Sequence, residues 1–228
     1  MSICYTIRES QRAKYVSLKV SASGKLEVVI PFGFDQSRIP SLIQQKQSWI
    51  DRVTQRQQPV VPALPDQILL PAIAQTWQVE YALTALTEVK IRQKSRGLLL
   101  SGKVDDQAAC QFALQQWVAA QARTHLVPWL RKVSREVELP FAVATIRQQK
   151  TLWGSCSGQK NISLNCKLLF LPEAIVRYIM IHELCHTVHM NHSAQFWALV
   201  GRHEPTYRHL IATLREQRHL VPTWMEDR

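Results

Sequence analysis

The first thirty residues alternate between apolar and polar. Tyr15-Val-Ser-Leu-Lys-Val20 and Leu26-Glu-Val-Val-Ile30 flank the turn-forming run Ser21-Ala-Ser-Gly24, and this period of two predicts a β-hairpin. After Pro31 the period lengthens. Ile39, Leu42, Ile43, Trp49, Ile50 and Val53 fall on one helical stripe between Asp35 and Arg56. Pro59, Pro62 and Pro65 then follow within seven residues, which a helix cannot absorb, so this stretch reads as a linker. Strand patterns return at Thr76–Tyr81, Val89–Arg96 and Gly97–Ser101. From Asp105 to about Leu139 the apolar set Phe112, Trp117, Leu126, Leu130 and Val133 is helical, with a kink or a second start expected at Pro128. Short strands are predicted at Phe141–Arg147 and Asn161–Asn165. A helix begins at Glu173 and carries Ile175, Ile179, His182 and Leu184, and a last helix covers Tyr207–His219. The order predicts an α+β fold in three parts: a hairpin-plus-helix region over 1–65, a β-rich segment over 66–104, and a helix-rich domain over 105–228.

The chemistry concentrates on the helix from Glu173. His182-Glu-Leu-Cys-His186 is an H-E-x-x-H pattern. Residues four apart share a helical face, so both imidazoles can converge on one ion, and zinc accepts imidazole nitrogens in tetrahedral geometry. Glu183 is placed to act as general base on a water that the ion acidifies. The neighbours Met180, Ile181, Leu184, Cys185 and Thr187 are uncharged, as a helix packed inside a domain requires. A third ligand is needed. His189 on a continuing helix would rise about 10 Å beyond His182, too far to share the ion. His192 can return to it if Asn191 turns left-handed and ends the helix, with Glu204 and Glu216 as competing ligands.

Composition narrows the surroundings. The chain has 228 residues and a net charge of +11, with 28 Lys+Arg against 17 Asp+Glu, a balance that suits a polyanionic partner or simply a soluble surface. Lys90, Arg92, Lys94 and Arg96 alternate along one strand, so they would share a face able to pair with nucleic acid, or guard a solvated edge. Seven glycines leave little scope for glycine-rich phosphate loops, and five scattered cysteines suggest no disulfide framework. A reducing, cytoplasmic setting is expected. No apolar run is long enough to cross a bilayer, so no membrane partner is expected.

Trp153-Gly-Ser-Cys-Ser157, Ile162-Ser-Leu-Asn165, His182-Glu-Leu-Cys-His186, Asn191-His-Ser193, Phe196-Trp197 and Pro205-Thr-Tyr207 together resemble the YgjP-like family of predicted metal-dependent hydrolases, related to SprT-like metalloproteases. The likeness extends over nearly the whole chain and is densest over 145–210. It implies a zincin-like metalloprotease core over 105–228, with zinc as cofactor and His192 as third ligand. The expected activity, amide-bond hydrolysis of a protein or peptide substrate, follows from the metal-and-base pattern itself and not from the likeness. Leu152 and Cys166 depart from the family's usual basic and aromatic residues at those positions. Three further expectations complete the reading. Trp153–Ser157 forms a turn in which Gly154 supplies a positive φ and Cys156 is a candidate extra ligand. The strand Asn161–Asn165 offers its edge to an extended substrate. Tyr207, His203 and Arg202 are candidate donors to a developing oxyanion.

Overall fold

The structure is a computed structural model that describes residues 5–11, 13–20, 26–50, 63–95 and 97–225. They form two compact units, divided between Ala63 and Leu64.

In the first unit, β3 (Leu26–Pro31) is the central strand. It pairs antiparallel with β2 (Ser17–Val20), which is the expected hairpin, and parallel with β1 (Tyr5–Ser10). The hairpin's turn, residues 21–25, lies outside the described residues. Leu26, Val28 and Ile30 point to one face and pack with Ile39, Ile43 and Ile50. The single helix expected from Asp35 is broken. Asp35 accepts the Ser37 N–H at 3.0 Å and caps a 3-10 turn over Gln36–Arg38. Helix α1 (Ile39–Gln45) follows and ends at Lys46, whose ψ of 9° leaves the helical region; residues 47–50 are helical again. Positions 51–62, which hold the rest of the predicted helix and most of the proline-rich stretch, lie outside the described residues.

The second unit begins with a four-stranded sheet in the order β4 (Gln67–Leu70), β5 (Gln75–Leu83), β7 (Gly97–Gly102), β6 (Lys90–Lys94). Ile68, Leu70, Trp77, Val79, Leu98 and Leu100 alternate onto its buried face. Helix α2 (Gln107–Glu136) starts at Asp106, which accepts the Ala109 N–H at 3.0 Å. It buries Cys110, Leu114, Trp117, Val118, Ala122, Leu126, Leu130 and Val133, a stripe along thirty residues, and runs through Pro128 without ending. Glu138, left-handed at φ 56°, lets the Leu139 N–H reach back to the Ser134 carbonyl and stops the helix. The residues of 66–104 share one apolar core with those that follow.

A second, three-stranded sheet has the order β8 (Ala144–Arg147), β10 (Ile162–Asn165), β9 (Gly154–Cys156). Here the sequence reading is corrected twice. Residues 154–156 form a strand rather than a turn. The strand Ile162–Asn165 is central, parallel to β8 on one side and antiparallel to β9 on the other, so its backbone groups are already paired and it offers no edge. Three helices complete the unit: α3 (Glu173–Cys185), α4 (Ala194–His203), which the sequence reading did not separate, and α5 (Tyr207–Glu216). The class is α+β, as the pattern predicts, with strands dominating the N-terminal part. Among the described residues no helix is long and apolar enough to cross a membrane.

Candidate metal centre

Helix α3 buries Ile175, Val176, Ile179, Met180, Ile181, Leu184 and Cys185. A helix apolar on so many faces lies inside its domain. His182, Glu183 and His186 line a cleft of about 420 Å³. α3 ends at Cys185. The Thr187 N–H then bonds to the Leu184 carbonyl, and the Val188 and His189 N–H groups bond to that of Cys185. These tight turns bring His192 back to the helix. Asn191 is not left-handed: among the described residues only Ala74, Glu138 and Lys160 are non-glycine residues with positive φ. Ser193 then accepts the Phe196 N–H at 3.3 Å and caps α4.

The potential ligand atoms of His182, His186 and His192 all lie within 4.8 Å of one another. The Nε2 atoms of His182 and His192 are 3.2 Å apart, close to the roughly 3.3 Å that separates two nitrogens at zinc–nitrogen distance on a tetrahedral ion. Neither carboxylate competitor joins them. Glu204 accepts from the Thr206 N–H and hydroxyl at 3.3 and 2.6 Å, and Glu216 is exposed at the end of α5. The imidazole of His189 also stays apart, but its backbone carbonyl lies 3.0 Å from His186 Nδ1. That bond puts the proton on Nδ1 and leaves Nε2 free to ligate. His182 Nδ1 is buried without a partner, and its ring is fixed by packing instead.

The packing has one hub. Phe196, fully buried, lies 4.4 Å from the ring of His186 in a stacked arrangement, 5.0 Å from that of His182 and 4.8 Å from that of His192. Trp197 tilts against His182 and His192 at 5.8 and 5.6 Å, and is itself stacked on Tyr207 at 5.4 Å. Burial, helped by the neighbouring His186 and His192, pulls the His182 imidazole down to about 4; burial also lowers His186. Both rings are therefore neutral near pH 7, the form that binds a metal. Burial pushes the Glu183 carboxyl up to about 8.

Glu183 is backed by β9. A Cβ on Gly154 would stand 2.8 Å from its Cγ and Oε1. Gly154 has no positive φ, so the glycine is needed for this close approach and not for a turn. Cys156 also lines the cleft; its thiol is raised by burial and by the charge of Glu183, and it is not part of the three-histidine group. None of Tyr207, His203 and Arg202 lines the cleft; Tyr178, one turn before His182, does. Helical spacing from His182 and Glu183 would have found Tyr178 and Ile179. Nothing in the sequence points to Leu214, which arrives from α5.

Three imidazoles with converging nitrogens fit a single divalent cation. Residues 14–217 match the family model described as YgjP-like metallopeptidase domain. The chain belongs to the YgjP-like metallopeptidase family, which implies a divalent metal. Among solved structures, the metallopeptidase zymogen abylysin of Pyrococcus abyssi is similar at 25% identity, over 39% of this chain and 90% of that one, with a TM-score of 0.36. Comparison with curated proteins gives no match.

Proposed function

We propose that the protein is a zinc metallopeptidase in which His182, His186 and His192 hold the metal and Glu183 is the general base. The observation that carries this reading is the convergence of three histidine nitrogens beside a buried carboxyl. Three protein ligands leave a fourth position open, the mark of a catalytic rather than a structural zinc site. When bound, zinc supplies Lewis acidity to the scissile carbonyl and acidifies the attacking water. Glu183 takes the proton of that water and returns it to the departing amide nitrogen.

Substrate alignment falls to β9. The Asn165 N–H donates to the Trp153 carbonyl, and the Ser157 N–H to that of Asn161. In an antiparallel pair bonded residues recur at every second position, so Trp153, Ser155 and Ser157 face β10. The backbone groups of Gly154 and Cys156 point the other way, and an extended protein or peptide segment can pair with them as an added strand. The unpaired thiols of Cys110, Cys156, Cys166 and Cys185 suit a reducing, cytoplasmic setting.

Glu183→Gln should keep about one zinc per chain and lose peptide hydrolysis; unchanged turnover would remove Glu183 as base. His192→Ala should lose the metal, and full zinc occupancy in that variant would move the third ligand elsewhere.

A second reading rests on β6, an edge strand on which Lys90, Arg92 and Lys94 are all exposed. Ile91 packs against the core and Gln93 accepts from the Trp117 indole at 3.4 Å, so the cations share the opposite face. That face suits a phosphate backbone, which would recruit nucleic acid alongside peptide hydrolysis. Arg96 lies outside the described residues.

A further inference from the structure

The chain carries an excess of eleven positive charges, yet its cleft excludes them. Of the residues lining the cleft none is Lys or Arg, and Glu183 is the sole acid. The apolar lining comes from four places: Leu152 and Trp153 lead into β9, Tyr178 and Ile179 lie on α3, Met190 precedes His192, and Leu214 sits on α5. Tyr178 and Ile179 stand one helical turn before His182 and Glu183. They therefore flank the reacting position towards the start of α3. Leu152 and Met190 are 51% and 54% exposed. Large apolar side chains left in water around a reactive centre mark a surface that something apolar covers.

We infer that this wall is a specificity pocket selecting peptide segments with a large aliphatic or aromatic side chain beside the scissile bond. The inference rests on the peptidase reading above and deepens it to a substrate class. Two observations place a peptide side chain there. The open edge of β9 fixes an extended segment across Glu183, and on such a segment successive side chains point to opposite sides, so one of them meets the wall of Ile179, Tyr178 and Leu214. A charged side chain seated against Ile179, Tyr178 and Leu214 would lose its hydration, and that wall itself carries no counter-ion. Such segments are buried in folded proteins, so the substrates are unfolded or locally opened chains.

The test separates binding from turnover. Zinc-loaded Glu183→Gln protein is titrated with fluorescent peptides blocked at both ends and identical except for Leu, Phe, Asp or Lys at one position. The Leu and Phe peptides should bind roughly 10- to 100-fold more tightly than the Asp and Lys peptides, the size expected for burying one such side chain. Leu214→Asp should erase the difference. Met190→Asp, at a position more than half exposed and so harmless to folding, should weaken the Leu peptide several-fold and leave the Lys peptide unchanged or tighter. Equal affinities across the four peptides, or the same preference in both variants, overturn the pocket. Wild-type turnover of the same peptides tests the underlying reading separately. Selective binding without hydrolysis upholds the pocket and removes the peptidase, whereas hydrolysis without preference removes the pocket alone.

Discussion

Replacing Gly154 by alanine tests the contact between β9 and the Glu183 carboxyl, the proposed general base. The new methyl would stand 2.8 Å from Glu183 Cγ and Oε1 and 2.9 Å from Cδ, whereas ordinary contact begins at 3.4 Å. Glu183 must therefore retreat by at least the difference, 0.6 Å. It cannot swing into solvent easily, because the residue is 6% exposed. Displacing a reacting group by about 1 Å costs on the order of 100-fold in rate, so kcat/KM should fall about 10- to 100-fold. Overpacking of this kind also costs about 1–3 kcal/mol of stability. The histidines are not in the path, so bound zinc should be unchanged. A quenched fluorescent peptide assay, read beside metal analysis, gives both quantities. Gly154→Asn sharpens the test: if the glycine served a left-handed turn, Asn would be tolerated better than Ala, whereas the steric reading makes it worse. Activity of Gly154→Ala within twofold of the parent would refute the reasoning.

Other variants probe the supports of the site. Phe196→Ala removes the ring that touches all three histidines and should cost about 3–5 kcal/mol, with weaker zinc retention against a competing chelator; unaltered retention would show that the histidines hold their own geometry. Asn165 donates to the Gln149 and Leu152 carbonyls at 2.9 and 2.8 Å and accepts the Lys167 N–H at 3.0 Å. Asn165→Asp sets a carboxylate against those two carbonyls and should lower stability by about 2–4 kcal/mol, visible as a clear fall in Tm. By contrast, Glu136→Gln breaks a 2.7 Å ion pair with Arg177 that is more than a third exposed on both sides, and should change stability by less than about 1 kcal/mol. If β6 binds nucleic acid, neutralising Lys90, Arg92 and Lys94 together should flatten the slope of log K against log salt by about 2.7; an unchanged slope would leave those cations to solvent.

The elements that carry the chemistry were legible because their signals are local. The period of α3, its uncharged neighbours and the spacing of His182 and His186 depend on residues within a few turns. The return of His192 was legible in outcome but not in route, since backbone turns after Cys185 do the work assigned to Asn191. Strand order is a different matter. Asn161–Asn165 reads as a strand from its own residues, but whether it is central or an edge depends on which other strands flank it. The same limit hid Gly154: glycine has several uses, and only the arrival of Glu183 from a distant helix distinguishes them. Leu214 and the hub position of Phe196 are also products of tertiary packing.

His182 and His186 close one helix, and His192 opens the next through Ser193. A cation gripping all three would act as a rivet across the ten-residue span from His182 to His192, and Phe196 makes the second helix part of the same joint. Ion binding and the order of this joint would then be coupled, and stripping the cation should loosen the end of one helix and the start of the next together.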